Sequence, residues 1–378
     1  MPYIVTGQVR RTHQLTLDEV LAGTADALPD LAFDPTGTVT RFLEQVPQKY
    51  AEHFDALGMI EKLKQFSIRW SHLYKADRKS LYNTFHIPKK TGGLRRIDAP
   101  CDQLMTALRD LKDILENNCG PMYHTSAFAY VPERSTINAV RKHQANVSKW
   151  FLKTDFSDFF GSTTPEFLMS MVERIFPFSE IVEIPDGREA LEKAFDLCFL
   201  NGGLPQGTPI SPMLTNLMMI PIDHKLASML WRNGYVYTRY ADDIIISHKR
   251  YFMFVPIVDS IREVIREFNA PFTIKREKTR YGSSSGSNWN LGVMLNKDNQ
   301  ITFGHKNKMQ LKAMCANFVR DWRNKVVWDP HDVNVLSGLI SYYTMVEPDY
   351  MRDFIQYINR RLGVNFVALL RHVQRGDC

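Results

Sequence analysis

Between Tyr235 and Lys249 the chain reads YVYTRYADDIIISHK, two β-rich runs joined through Ala241-Asp242-Asp243. The pattern predicts a tight hairpin with adjacent carboxylates at its tip. Like charges that close repel one another, so the turn is costly without compensation. A divalent cation removes the penalty, and oxygen-only ligation suits Mg2+. By itself an acid pair also fits an ordinary solvated turn. A second segment changes the balance. In LKTDFSDFF (152–160), Asp155 ends an apolar strand and offers a further strand-end carboxylate. Metal-assisted phosphoryl transfer needs carboxylates from separate segments that converge on ions about 4 Å apart. Asp158 is an alternative in the same stretch, read more simply as a solvated turn residue.

Composition sets the wider frame. A chain of 378 residues, 44% hydrophobic and 23% charged, has the make-up of a folded globular protein with one large multi-lobed unit or two domains. Lys and Arg number 47 against 41 Asp and Glu, for a net charge of +6, a mild bias toward polyanionic partners. Cys101, Cys119, Cys198, Cys315 and Cys378 form no CxxC pair, which argues against a zinc site or a disulfide framework. No apolar run approaches the roughly 18 residues of a membrane span, and MPYIVTGQVRRTH lacks a signal-peptide pattern. The expectation is a cytoplasmic protein with no membrane partner.

Along the chain, LDEVLAGTADAL (17–28) and residues 39–66, broken at Pro47, have helical periodicity; residues 1–80 read as a helical extension without a chemical motif. FHIPKKTGGLRRIDAP (85–100) predicts a hairpin with a basic turn. Helices are expected over 103–118, 165–176, 188–200 and near 255–268, and over 211–234 with a kink at Pro221. FTIKREKT is β-like, and NLGVMLNKDNQITFG (290–304) predicts a hairpin turning at Lys297-Asp298-Asn299. Helix-like segments then carry Lys306, Lys308, Lys312, Arg320, Arg323 and Lys325 against the acid Asp321. Such a face suits sequence-tolerant contact with nucleic-acid phosphates, or serves as a solubilising surface.

These motifs together resemble those of reverse transcriptases. YADDIIIS resembles their YxDD signature, KTDFSDFF their first palm motif, LPQGTPISPMLTN (204–216) the segment between the two, and FHIPKKTGGLRRIDAP their fingers hairpin. Lys278-Thr279 falls where the family has its fourth palm element. The likeness covers about residues 80–365 and is nearest to bacterial enzymes of the retron and phage-defence groups. It implies an α+β right-hand polymerase: fingers and palm over 81–290, with an antiparallel sheet and helices in the palm, and a helical thumb over 291–378. The implied activity is RNA-directed DNA polymerisation, a nucleotidyl transfer using two Mg2+ ions or Mn2+. A structured non-coding RNA would be the template and dNTPs the substrates, with nascent DNA as product. Antiviral defence is the expected setting, and a defence effector protein is a candidate partner.

The resemblance also assigns roles. Asp155, Asp242 and Asp243, with the backbone carbonyl of Phe156, match metal ligands. Lys89 or Lys90 and Arg95 match the cations that grip the triphosphate, and Arg96 faces solvent or the template. Phe160, five residues after Asp155, matches the aromatic gate that excludes a ribose 2′-hydroxyl. Gln206 and Gly207 match residues at the nucleotide sugar and base. Lys278 matches a proton donor to pyrophosphate, or is a solvated lysine. Retron enzymes carry NAxxH and VTG elements, where this chain has the longer NAVRKH (138–143) and Asn290-Leu291-Gly292. The sequence is therefore read as a defence-type or divergent reverse transcriptase, with a retron enzyme as the first alternative and an RNA-dependent RNA polymerase as the second.

Overall fold

The computed structural model describes residues 54–88, 92–119, 123–274, 276–284 and 291–375. The expected helix over 17–28 lies outside them, as does the basic turn Lys89–Thr91. The described chain begins with α1 (Ala56–Arg69) and α2 (Ser71–Lys75), then β1 (Tyr82–Pro88), β2 (Leu94–Pro100) and α3 (Asp102–Cys119). Next come α4 (Thr136–Ala145), β3 (Trp150–Ser157), α5 (Pro165–Val172), α6 (Phe178–Glu183) and α7 (Gly187–Asp196). The middle of the chain supplies α8 (Ser211–Met218), α9 (Ile220–Trp231), β4 (Val236–Tyr240), β5 (Asp243–His248) and α10 (Phe254–Glu267). After β6 (Thr273–Ile274), β7 (Arg280–Ser283), β8 (Met294–Leu295) and β9 (Ile301–Thr302) the chain ends in α11 (His305–Arg323), α12 (Pro330–Val346), α13 (Pro348–Leu362) and α14 (Phe366–Arg375). Helices and antiparallel strands make this an α+β fold.

Local chemistry explains many boundaries. Asp55 caps α1 by accepting from Gly58 N at 2.8 Å, and Thr164 caps α5 ahead of Pro165. The apolar stretch 211–234 is interrupted at Met219, two residues before Pro221, because proline has no N–H to continue the ladder. Several expectations differ from the result: the helices expected over 165–176 and 188–200 end at Val172 and Asp196. Residues 136–145 form a helix that the sequence reading did not assign. Among the described residues of FTIKREKT only Thr273–Ile274 pairs as strand, and Arg276–Lys278 turns as a 3₁₀ helix.

Two compact units emerge. The first comprises the described residues up to His124 with Asp158–Lys225 and Val264–Phe272; the second comprises Thr125–Ser157, Leu226–Glu263 and the chain from Thr273. These units cut across the contiguous segments 1–80, 81–290 and 291–378: the stretch 81–290 contributes to both, and the C-terminal helices fold with the central sheet.

In the first unit, α1 packs on α3 and α7, burying Leu63, Leu108, Leu111 and Leu191. The same unit holds the β1–β2 ribbon, paired from Tyr82↔Pro100 to Pro88↔Leu94. In the second, β3 is central: β5 and then β4 lie along one side, and β7 and β6 share the other. A core containing Val140, Phe151, Val293, Leu295, Phe303, Phe318, Leu336 and Phe366 joins α4, the sheet, β8–β9 and the C-terminal helices. Among the described residues no helix is long and apolar enough to cross a membrane.

Candidate active site

The predicted acid hairpin forms in the second unit. Strands β4 and β5 pair from Val236↔Ser247 to Tyr240↔Asp243, leaving Ala241 and Asp242 as the turn. Ala241 has φ 57°, a left-handed conformation that costs an L-residue roughly 1 kcal/mol or more. Arg239 offsets part of that cost. Its guanidinium is fully buried and donates from Nη1 to the Ala241 carbonyl at 3.0 Å. The Arg239 backbone bridges Ser126 O and Phe128 N at 2.7 and 2.9 Å, anchoring the hairpin to the preceding loop.

Strand β3 brings the third acid. Asp155 sits opposite Asp243 in the β3–β5 register, and Phe156 N donates to the Asp242 carbonyl at 3.1 Å. Opposed like charges destabilise a sheet, and two lysines answer them. Lys153, two residues along the same face, donates to Asp243 Oδ2 at 3.0 Å. Lys278 donates to Asp155 Oδ2. Its position follows from the topology. Strand β7 covers the first half of β3 and β6 the second, so the turn between them, Arg276–Lys278, lies level with Asp155.

The electrostatics mark this as a strained anionic corner. Burial raises the Asp242 carboxyl above the usual carboxylate range, and the Asp243 and Asp155 charges add to the shift. The hydrogen bond to Asp155 raises Lys278 above its ordinary value. Among the described residues no three acidic, histidine or cysteine side chains converge as a ready-made metal cage, and two of the three carboxylates are engaged by lysines. The donor set nevertheless fits a hard divalent ion. All the ligating atoms are oxygens, and Asp155 Oδ1 is buried with no hydrogen-bond partner, an acceptor that a cation would satisfy.

The residues matched to nucleotide binding lie in the first unit. Arg95 is exposed on β2, on the same ribbon face as Ile97. The carbonyl of Gln206 accepts from Asp98 N at 2.8 Å, which lays Gln206 and Gly207 along the edge of β2. Gly207 has φ 124°, and a Cβ there would stand 2.9 Å from Asp98 O and 3.0 Å from Ile97 Cγ2, so this approach requires glycine. Phe160 is half-buried, and its carbonyl accepts from Leu204 N at 3.0 Å, tying the end of KTDFSDFF to the start of LPQG. Lys89 and Lys90 lie outside the described residues. Asp158 is exposed with φ 50°, as its reading as a turn residue anticipated.

The basic residues of α11 divide. Lys306 is exposed. Lys308 is held inward by Glu347 at 2.6 Å and lies 3.9 Å from the Tyr350 ring centroid; Glu347 also accepts from Thr302 Oγ1 and Phe303 N. Glu347 thereby ties the junction of α12 and α13 to β9 and to α11. Lys312 lies 4.9 Å from the Tyr357 ring centroid, Arg320 pairs with Asp321, and Arg323 donates to the Leu362 carbonyl.

Sequence reasoning missed Lys153, Arg239 and the role of His143. Lys153 and Arg239 carried no signal beyond lying within two residues of an acidic motif. His143 closes the NAVRKH stretch and is completely buried, with Nδ1 2.6 Å from Ser247 Oγ and Nε2 2.8 Å from Thr238 Oγ1. Ser247 donates to Ser148 Oγ at 2.7 Å, so it accepts from His143 Nδ1–H, and Nε2 accepts from Thr238. One imidazole thus joins α4 to both strands of the acid hairpin.

Comparison with known proteins agrees with this geometry. The family described as Reverse transcriptase (RNA-dependent DNA polymerase) matches residues 87–307. Retron Ec83 reverse transcriptase of Escherichia coli is 28% identical over 313 residues, covering 80% of this chain and 94% of its own length. Retron Mx65 reverse transcriptase of Myxococcus xanthus is 27% identical over 361 residues, with 92% and 78% covered. Retron Ec73 reverse transcriptase of Escherichia coli is 28% identical over 272 residues, with 70% and 83% covered. A family match over more than half of the chain, centred on the strand-borne carboxylates, makes this protein a member of the reverse transcriptase family, an RNA-directed DNA polymerase.

Proposed function

We propose that this polymerase is of the retron type and copies one dedicated structured RNA into DNA, with Asp155, Asp242 and Asp243 as its metal-holding centre. The observation that carries the site is the register pairing of Asp155 with Asp243 beside Asp242, with Asp155 Oδ1 buried and unpartnered. Divalent ions held there, with Mg2+ the natural occupant, would supply charge neutralisation at the attacking 3′-hydroxyl and the leaving pyrophosphate. Lys278, with its raised proton affinity, stays protonated at neutral pH and is placed to hand a proton to pyrophosphate. Arg95, with Lys89 or Lys90, grips the dNTP triphosphate, guanidinium as fork and ammonium as point charge. Gln206 and Gly207 border the sugar and base, and Phe160 excludes the 2′-hydroxyl.

Duplex phosphates lie on the exposed cations Lys306, Lys312, Arg320 and Arg323, while Lys308 supports that surface from within. The retron assignment rests on relatives that align along most of their own length. Their agreement outweighs the departures at NAVRKH and Asn290-Leu291-Gly292, and it moves the retron reading from alternative to first place. An antiviral role belongs to the same reading.

Sequencing of nucleic acid that co-purifies with the full chain expressed from its own locus tests the proposal. The expected result is one abundant structured RNA that added dNTPs extend into DNA of defined length. Recovery of cellular transcripts in proportion to their abundance, or extension by NTPs in place of dNTPs, would contradict it.

A further inference from the structure

Lys153 lies within β3, two residues before Asp155 and on the same face of the strand. Its register partner on β5 is Ile245, so Asp243 stands diagonally across the ladder, within reach of a long side chain. The ammonium meets Asp243 Oδ2 at 3.0 Å, and the two side chains are 21% and 33% exposed. On the other edge β7 sets Arg280 beside Lys153, but that guanidinium is engaged by the Glu277 and Thr279 carbonyls.

The two lysines of the acid centre are built differently. Lys278 rises from a 3₁₀ turn, with its side chain 52% exposed. Lys153 belongs to the central strand, between β5 and β7, and its side chain is the more covered of the two. A cation borne by that strand holds Asp243 Oδ2 and leaves Asp243 a single oxygen, Oδ1, to offer an ion. Among the described residues no three acids converge as a ready-made cage, which agrees with a centre whose third carboxylate is half engaged.

We propose that Lys153 is a positioning residue that sets which divalent ion the centre accepts: it restricts Asp243 to one donor oxygen and so favours Mg2+ over Ca2+. The reason lies in coordination chemistry. Mg2+ demands near-ideal octahedral geometry, keeps several of its waters and is served by one oxygen from each carboxylate. Ca2+ takes more oxygens, about six to eight, and commonly uses both oxygens of one carboxylate. A cation fixed on Oδ2 denies it the second oxygen. The lysine charge also repels a further cation beside it, which lowers affinity for either ion. The inference deepens the proposed function and rests on its reading of Asp155, Asp242 and Asp243 as the metal-holding centre.

The test uses the full chain as wild type, Lys153→Met, Lys153→Leu and Lys153→Arg, each shown to be folded by circular dichroism. Methionine and leucine remove the donor while keeping an apolar stem, and arginine keeps the charge. Mn2+ binding is followed by its paramagnetic signal, and Mg2+ and Ca2+ affinities are read from displacement of Mn2+, without nucleotide or primer. The expected result is a Ca2+ affinity raised by about tenfold in Lys153→Met and Lys153→Leu, the lower end of what the outer partner of a metal ligand controls. The rise for Mg2+ should be smaller. Lys153→Arg, which keeps a cation on Asp243, should leave the Ca2+-to-Mg2+ affinity ratio at or below the wild-type value. A ratio that stays the same or falls in the folded charge-free variants would overturn the inference, as would a raised ratio in Lys153→Arg. A purely structural ion pair would lower stability and leave that ratio unmoved. A wild type that bound none of the three ions would refute the metal-holding reading itself, whereas ions bound with an unmoved ratio would refute this inference alone.

Discussion

Phe160 shows how far a single residue can be read. Its neighbour Phe159 is 3% exposed and packs edge-on against Phe272, as a core aromatic should. Phe160 is only half-buried, although it lies edge-on to Phe159 at 5.6 Å, and its backbone is fixed to Leu204. A side chain held at the backbone yet left uncovered suits a steric gate better than a filler. Phe160→Ala should lower dNTP-over-NTP discrimination by about ten- to a hundred-fold, the 1–3 kcal/mol that pocket shape typically contributes, in single-nucleotide addition. Unchanged discrimination would return Phe160 to the core. The convergence of the three acids was legible because two of them sit at a predicted hairpin tip and the third ends an apolar strand. Lys153 and Arg239 were not, since a lysine on a strand or an arginine near a turn usually means a solvated charge. Only the register reveals Lys153 beside Asp243 and the Arg239 guanidinium beneath Ala241.

Among the elements, the acid hairpin is the best foretold and its support the least. Turn residues between β-branched runs announce β4–β5, and Pro221 announces the break between α8 and α9. By contrast, α4 is short and mixed in polarity; Ile137 and Val140 pack it on the sheet, and its polar link to the acid hairpin runs through one buried imidazole. The shortfall in FTIKREKT has a similar origin: β7 occupies the first half of the β3 edge, so β6 pairs only beside Phe156 and Ser157. Burial, with a smaller contribution from Lys142, lowers the His143 pKa to about 3, against about 6.5 in an unfolded chain. Between those values the unfolded state binds the extra proton. The contribution of neutral His143 is therefore fully present above about pH 6.5 and is lost as pH falls, by about 1.4 kcal/mol at pH 5.5. His143→Asn, which keeps a donor toward Ser247, should be less stable than wild type at pH 7.5, and the gap should narrow by about that amount at pH 5.5. Chemical denaturation at the two pH values measures it. A gap that stayed constant would show that His143 titrates alike in both states.

At the scale of the molecule, the family resemblance foretold an α+β polymerase, and the family match agrees with it. The linear segmentation into extension, core and thumb does not describe the compact units. The chain crosses between them several times, and the helices after His305 share a core with the sheet that carries Asp155 and Asp243. The spread of that core depends on contacts between distant parts of the sequence, which periodicity does not register. The central claim is that this sheet presents a carboxylate centre built for divalent metal and nucleotidyl transfer. Asp242→Asn tests it most directly, since burial and the neighbouring Asp243 and Asp155 charges all oppose the charge of Asp242. The measurement is templated dNTP incorporation with Mg2+ by folded wild type and variant, alongside Mn2+ binding followed by its paramagnetic signal. The account predicts at least about a thousand-fold loss of incorporation, equivalent to about 4 kcal/mol. It also predicts weakened Mn2+ binding and a metal-free stability equal to or above wild type, because a buried charge is removed. A folded variant that binds Mn2+ and copies the template at the wild-type rate would contradict it.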